Sequence, residues 1–144
     1  MVTIQPPFIN NRITNEEQRI AKYKMIEKKY DIDERLIDFA VAIINYVESI
    51  PNSKSASHLG GQLLRSGTSP SLNYGEAKSA ESKGDFLHKM KVCLKELRES
   101  YNCLRIMHRA KIYKSEKQVQ ELITECNELI SIFVKSIATA TNRT

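Results

Sequence analysis

The sequence predicts an all-α protein: an antiparallel up-down four-helix bundle with an N-terminal arm or extra helix. The chain has 144 residues but only five glycines and four prolines, so the turn signals that separate strands are scarce. Apolar residues recur at three- and four-residue steps over four long segments, which indicates amphipathic helices. Short polar turns join these segments, and short connections favour antiparallel neighbours.

Capping signals and breakers set the predicted bounds of the bundle, residues 31–144. Its helices are predicted at about 32–50, 55–80, 83–111 and 116–141. Asp31, Ser82 and Ser115 each precede an acidic or amide residue three positions later, the pattern of a capping box. In the third of these helices a 4–3 alternation of the coiled-coil type predicts the buried side, formed by Leu87, Met90, Leu94, Leu97, Tyr101, Leu104 and His108.

Residues 1–30 form the predicted arm. The Pro6-Pro7 and Asn10-Asn11 pairs indicate an extended tail. The segment 14–30 fits a fifth helix capped by Thr14 and Glu17, but its apolar face is thin. The alternative is a segment ordered only through a partner chain.

Composition predicts a cytoplasmic protein that does not enter a membrane. No apolar run approaches the ~18 residues of a membrane span, and no charged-then-apolar signal opens the chain. Cys93, Cys103 and Cys126 are odd in number, lack C-x-x-C spacing and fall within apolar helical patterns. They are interpreted as reduced core thiols.

The stretch RSGTSPSLNYGEA, residues 65–77, places poor helix formers within a helical pattern. Proline costs about 3 kcal/mol inside a helix and each glycine about 1 kcal/mol. A phosphate-binding loop is disfavoured because no glycine-loop pattern or preceding strand occurs, and a nucleophilic serine because no histidine is near. The favoured interpretation is a kinked helix whose small residues Gly60, Gly67, Ser71 and Gly75 admit close contact with another backbone. Hydroxyls of Ser66, Thr68 and Ser69 are expected to bond carbonyls that Pro70 leaves unpaired.

The same stretch, followed by AESKGDFLHKMKVCLKELRES, resembles the 23S rRNA intervening-sequence proteins, a family of bacterial four-helix bundles. The matching residues are Arg65, Ser66, Gly67, Thr68, Ser69, Asn73, Glu76, Ala77, Ser82, Lys83, Asp85, Phe86, Lys89, Leu94, Lys95, Glu96, Arg98 and Glu99. The sequence departs from the family pattern at Pro70, Ser71 and Leu72. The resemblance covers roughly residues 33–137 and excludes the arm.

The resemblance implies a ring-forming bundle, a homopentamer, with a role on nucleic acid and no catalytic residues. The family is encoded within large-subunit ribosomal RNA genes and elsewhere, and resembles the accessory protein of diversity-generating retroelements, a pentameric barrel that binds nucleic acid and reverse transcriptase. It assigns a structural or subunit-contact role to Arg65, Gly67, Thr68, Asn73 and Glu76. Glu76 is interpreted as a buried partner of Arg65, Lys89 or Arg98 that fixes register.

A basic stripe also runs along the predicted helix 83–111, consisting of Lys91, Lys95, Arg98, Asn102, Arg105 and Arg109. Residues 83–117 hold ten basic and four acidic residues, a net charge of +6 against +5 for the whole chain. The stripe fits a phosphate-binding face, with Lys91, Lys95, Arg98, Arg105 and Arg109 as the nucleic-acid-binding residues. The alternative is a solvated or self-paired face, in which an acidic row of Glu121, Glu125 and Glu128 pairs with the stripe within or across subunits.

Enzyme chemistry has no support in the sequence. No nucleophile–base pair or E-x-x-H motif occurs, and His58, His88 and His108 lie far apart, so neither a metal nor a cofactor is expected. No aromatic residue interleaves the stripe, which argues against a platform for stacking single strands. The sequence therefore predicts a non-enzymatic, homo-oligomeric bundle that binds RNA or DNA. The alternative is a scaffold for a protein such as a reverse transcriptase.

Overall fold

The computed structural model describes residues 14–143, and for residues 25–30 the backbone alone. The extended tail predicted within residues 1–13 lies outside these described residues. The described chain forms five helices and no strand: α1 Asn15–Tyr30, α2 Ile32–Ser49, α3 Lys54–Lys78, α4 Lys83–Arg109 and α5 Glu116–Asn142. The predicted all-α class is confirmed, and the ends of α2 to α5 lie within two residues of the predicted ones.

The chain divides into two units, Met1–Arg35 and Leu36–Thr144. In the first unit, α1 begins with a reciprocal capping box. Glu17 N donates to Thr14 Oγ1 at 3.1 Å, and Thr14 N donates to Glu17 Oε2 at 2.9 Å. The side chains of residues 15–24 are all exposed, Ile20 and Tyr23 among them. The arm thus contains a helix where the sequence fits one, and residues 15–24 of that helix have no buried face.

Consecutive helices of the second unit pack antiparallel, because residue numbers rise on one helix as they fall on its neighbour. Between α2 and α3, Val47 lies near Gly60 and Ile43 near Gly67. Between α3 and α4, Leu59 contacts Cys103 and Pro70 contacts Cys93. Between α4 and α5, Leu97 contacts Cys126 and His108 contacts Glu116. Between α2 and the turn after α4, Tyr46 Oη donates to the Ile112 carbonyl at 2.5 Å.

A serine in extended conformation caps each of α3, α4 and α5. Ser53, Ser82 and Ser115 accept hydrogen bonds from the backbone N–H three residues later, at 3.0, 3.0 and 3.3 Å. These bonds satisfy N–H groups that the first turn of a helix leaves without a partner. Polar capping thus fixes where each helix begins, as the sequence predicts for Ser82 and Ser115.

The core of the second unit is aliphatic and aromatic, with three thiols and two serine hydroxyls. Its largest fully buried side chains are Leu36, Phe39, Ile43, Tyr46, Leu63, Pro70, Leu97, Leu104, Met107, Val119, Leu129 and Phe133. Cys93, Cys103 and Cys126 are buried and free. Burial raises the pKa of Cys93 and of Cys126 to about 12, and that of Cys103 to about 11. Within residues 14–143, no helix has the length and apolar character to cross a membrane.

Candidate nucleic-acid interface and packing motif

The basic stripe runs along the outer side of α4. Its members are spaced by four and three residues, so they share one side of the helix. The opposite side is the buried one and includes Cys93, Leu97, Ser100, Leu104 and Met107. Helix α4 therefore holds the cations on a rigid element whose orientation is fixed by core packing.

Every member of the stripe is exposed. Within the part of the chain that the structure describes, Lys91, Lys95, Arg98 and Arg109 form no ion pair. The Arg105 guanidinium lies over the Tyr101 ring, 5.4 Å from its centroid, and also lacks a carboxylate partner. The side chains predicted to bind nucleic acid thus share one solvent-facing surface.

The acidic row lies on a different side of α5 from the residues that face α4. Glu121 pairs with Lys117 of its own helix at 3.8 Å. Glu121 and Glu125 line a cavity of about 340 Å³ between α5 and α2, together with Asp38. The alternative for the stripe was pairing with the acidic row, within or across subunits. Among the described residues, no such pair forms within the chain.

On the other flank of the stripe, two carboxylates of α4 are held by one arginine of α3. Arg65 Nη1 lies 2.9 Å from Glu96 Oε2, and Arg65 Nη2 contacts Glu99 Oε2. Such a forked contact suits the planar guanidinium and joins the two helices. It also offsets one of the two negative charges that Glu96 and Glu99 place on α4. The sequence did not pair Arg65 with these two residues, although both belong to the family pattern.

The motif of small residues is a packing motif for α2 and α4. A Cβ added to Gly67 would lie 2.8 Å from Ile43 Cγ1, so this glycine is required by the close approach of α2. On the α4 side, Ser100 Oγ donates to Ser66 Oγ at 2.9 Å, and both hydroxyls are fully buried. The close helix contact favoured from the sequence occurs here.

Helix α3 continues through Pro70, which is itself buried. Proline lacks an N–H, so the Ser66 carbonyl loses its helical donor. The predicted hydroxyl bonds go elsewhere: Thr68 Oγ1 donates to the Leu64 carbonyl at 2.7 Å and Ser66 Oγ to the Leu63 carbonyl at 3.5 Å. The prediction that hydroxyls take up the carbonyl freed by Pro70 is therefore wrong.

Asn73 and Glu76 lie in the last turns of α3. Asn73 Nδ2 donates to the Ser69 carbonyl at 3.1 Å and to Ser69 Oγ at 2.9 Å, which ties two turns of the helix together. Glu76 pairs with Lys89 at 3.4 Å, one of its three predicted partners. Its side chain is 60% exposed, so the prediction that it is buried is wrong.

The titratable side chains of residues 14–143 were compared with the requirements of a metal site. No group of three His, Cys, Asp or Glu side chains there could hold a metal ion. His108 is the one histidine of the three with a carboxylate partner among the described residues: its Nε2 lies 3.0 Å from Glu116 Oε2. That pair links α4 to the start of α5.

Two features of this region were not predicted. The first is an apolar face on α2, formed by Ile37, Val41 and Ile44, which are 41%, 50% and 40% exposed. The second is an open cleft of about 500 Å³ between α4 and α5, beside the end of the stripe. Its aromatic wall is Tyr101, which the apolar periodicity had assigned to the buried side of α4. The one sequence signal for this aromatic wall is that Tyr101 lies one helical turn before Arg105 of the stripe.

Residues 28–135 match the 23S rRNA-intervening sequence protein family, and the chain belongs to that family. This confirms the resemblance found in the residues 65–77 motif. The chain is also similar to a crystal structure of a protein of unknown function of the S23 ribosomal protein family from Bacteroides thetaiotaomicron VPI-5482. The two are 27% identical with a TM-score of 0.64, over 74% of this chain and 97% of that one. The comparison with curated proteins gave no match.

Proposed function

We propose that this protein is a non-enzymatic homo-oligomer, a ring of five copies, that binds the backbone of RNA or DNA through the basic stripe on α4. The observation that carries the proposal is that four cations of the stripe are exposed and form no ion pair within residues 14–143. Membership of the 23S rRNA-intervening sequence protein family is consistent with an RNA partner. The free buried thiols suit the reducing cytoplasm.

The proposal rests on an up-down four-helix bundle for residues 31–144. The antiparallel contacts of α2 with α3, α3 with α4 and α4 with α5 support it. So does Ser49 Oγ of α2, which lies 3.5 Å from Gln118 Oε1 of α5 and joins the first and last helices. In such a bundle, one side of α4 is left to solvent along its whole length, which is where the stripe lies.

Electrostatics gives this interface a measurable signature. Cations that neutralise phosphates release condensed counterions, so log K falls linearly with log salt by about 0.9 for each phosphate contacted on duplex DNA. Five cations per chain predict a slope of about −4 to −5, with little preference for sequence. In a ring the stripe is repeated around the axis, and avidity raises the affinity for long nucleic acids.

The test is a salt titration of RNA and duplex DNA binding with Lys91→Gln/Lys95→Gln/Arg98→Gln. This variant removes three positive charges from exposed positions. The matched control is Ser57→Glu/Ser136→Glu/Thr139→Glu, which changes the net charge by the same amount at exposed positions on α3 and α5. We expect the stripe variant to lose affinity and about three units of salt slope, and the control to bind nearly as wild type.

Light scattering on the same samples separates the remaining outcomes. If wild type binds neither RNA nor DNA at low salt, nucleic-acid binding is wrong. If the stripe variant loses its oligomeric state together with binding, the stripe pairs with the acidic row across subunits, and its function is assembly. If both variants weaken binding equally, the effect is one of net charge, and the stripe is not the interface.

A protein-interaction scaffold is the second candidate, and the apolar face of α2 is the observation that favours it. Ile37, Val41 and Ile44 follow one another at steps of four and three residues and leave apolar side chains in water. Leu64, 36% exposed, lies on α3 between the two glycines that face α2. We assign this face first to a second copy of the chain, because the proposed ring needs an interface and the stripe is on another helix.

The apolar face is tested by Val41→Glu, measured by light scattering and circular dichroism. Because Val41 is half exposed, a glutamate there should leave the helix content unchanged and shift the protein to smaller species. Leu72→Glu is the control, since Leu72 is 71% exposed and lies outside the face. A wild-type monomer, or a Val41→Glu variant that assembles normally, overturns the assignment to a second copy and favours a different protein partner.

A further inference from the structure

A cleft of about 500 Å³ opens between α4 and α5, next to the end of the basic stripe. Its volume lies within the range of about 300–1,000 Å³ typical of sites for small ligands. Arg105 and Arg109 belong both to the stripe and to the wall of the cleft. Any strand held along α4 by its phosphates therefore passes the mouth of the cleft.

One wall of the cleft can accept a planar ring. Tyr101 is half-buried, and the Arg105 guanidinium lies over its ring at 5.4 Å from the centroid. Ile123 of α5 adds an aliphatic surface on the opposite side. Aromatic rings, guanidinium planes and aliphatic side chains are the surfaces on which proteins stack unpaired bases.

The remaining walls supply hydrogen-bond donors. Gln120 lines the cleft, and within residues 14–143 its side-chain amide has no hydrogen-bond partner. Arg109 lines it without an ion pair in the same part of the chain. Thr124 Oγ1 donates to the Gln120 carbonyl at 3.1 Å and holds that turn of α5. An amide can read a base edge, and a free guanidinium can bind a phosphate.

Among the described residues, the walls of the cleft themselves include no carboxylate. Glu116 Oε2 lies 3.0 Å from Nε2 of His108, which lines the cleft. Glu121 and Glu125 of the same helix line the cavity on the side of α2, and together with Glu128 they line a neighbouring cavity that shares Gln120 and Thr124 with the cleft. The walls of the cleft are therefore cationic and aromatic and carry hydrogen-bonding groups. Such walls suit the base and phosphate of a nucleotide better than a cationic ligand.

We infer that the cleft takes one unpaired nucleotide of the strand bound along the stripe, with its base against Tyr101 and Ile123, its phosphate on Arg109 and its edge on Gln120. This deepens the proposed function and rests on it, because the stripe must hold the strand. The preferred partner is then a nucleic acid with unpaired residues, such as a single strand, loop or bulge, and not an uninterrupted duplex.

The experiment compares three probes at one salt concentration: an unstructured oligoribonucleotide, a blunt duplex of the same length, and adenosine monophosphate. The test variant is Tyr101→Leu, which removes the ring and keeps the apolar contact, and its control is Tyr101→Phe. We expect Tyr101→Leu to bind the single strand about 5- to 150-fold more weakly, the range for loss of one stacked base. Duplex binding should be unchanged, and Tyr101→Phe should be close to wild type.

A second readout separates stacking from folding. A 2-aminopurine in the single strand should be quenched by wild type and by Tyr101→Phe, and not by Tyr101→Leu. Should Tyr101→Leu fail to fold by circular dichroism, Gln120→Ala replaces it. Gln120 is exposed, and its loss should weaken single-strand binding alone.

Each failure has its own meaning. If wild type binds none of the probes, the proposed function and this inference both fall. If it binds single strand and duplex alike, and Tyr101→Leu changes neither or both equally, the stripe stands and the cleft assignment is overturned. If adenosine monophosphate binds as tightly as the strand, the cleft is a site for free nucleotides and the strand assignment is overturned.

Discussion

Gly67 is the glycine of α3 at which α2 leaves the least room for a side chain. In Gly67→Ala the new Cβ would lie 2.8 and 2.9 Å from Cγ1 and Cγ2 of Ile43, a fully buried β-branched residue. Ile43 cannot rotate away cheaply, so the helices must move apart. We expect the free energy of unfolding to fall by about 1–3 kcal/mol in urea titrations.

Gly61→Ala is the matched control for that measurement. Gly61 lies on the same helix, and a Cβ there meets nothing within 4 Å. Alanine in a helix interior is better than glycine by roughly 0.5–1 kcal/mol, so this variant should be more stable than wild type. Equal effects of the two substitutions would contradict the close contact at Gly67.

The small residues of α3 show how far single positions could be predicted from the sequence. Close contact was predicted at Gly60, Gly67, Ser71 and Gly75. Gly60 and Gly67 do face side chains of α2, whereas a Cβ on Gly75 meets nothing within 4 Å. Composition identifies a helix with little bulk, but which glycine is in contact depends on where the neighbouring helix crosses. The crossing point depends on both helices, so the sequence of α3 alone does not determine it.

At the scale of elements, the buried side of α4 is rotated from the side that its apolar pattern predicts. Of the seven predicted residues, Met90, Leu97 and Leu104 are buried, and the other four are only partly buried. Cys93, Ser100, Cys103 and Met107 are buried in addition. The apolar pattern identifies only the large apolar residues of α4. Because α3 presents small or compact residues such as Ser66, Gly67 and Pro70 to its neighbours, small side chains of α4 can also be buried.

The N-terminus of α4 allows a test of one helix on its own. Ser82 Oγ accepts from Asp85 N at 3.0 Å, and an alanine at position 82 leaves that N–H to water. We expect Ser82→Ala to lower the free energy of unfolding by about 1 kcal/mol, measured in urea. Ser82→Asp keeps an acceptor near the positive end of the helix and should be close to wild type. If both variants equal wild type, the cap contributes nothing to stability.

At the scale of the whole molecule, three surface features of the described residues lie on three different helices. The basic stripe lies on α4, the acidic row on α5 and the apolar face on α2. The stripe could be predicted because charged residues at helical spacing are exposed. The apolar face could not: Ile37 and Ile44 continue the apolar periodicity of α2 that the core residues Leu36 and Ile43 also follow. Hydrophobicity alone does not distinguish an apolar side chain that enters the core from one that stays exposed on the same helix.

The buried thiols and one phenol make the stability of the second unit depend on alkaline pH. Burial raises the pKa of Cys93 from the ordinary 9.0 to about 12 and that of Tyr46 from 10.0 to about 12. Because the folded state keeps these protons longer than the unfolded chain does, their contribution is complete below pH 9. It is then lost as pH rises toward 12. We expect the urea midpoint to be steady near neutrality and to fall above about pH 9.

The contribution of the thiols to this pH dependence is isolated by a variant that lacks them. Cys93→Ala/Cys103→Ala/Cys126→Ala should be less stable than wild type at neutral pH, because it leaves small cavities in the core. Its stability should nevertheless fall less steeply between pH 9 and 11, since the three buried thiols no longer contribute to the loss. Equal slopes for the two proteins would show that the thiols ionise alike in the folded and unfolded chains, which contradicts their burial.

A thiol reagent at pH 8 gives an independent check: folded wild type should react slowly, and the same protein in urea should expose all three cysteines.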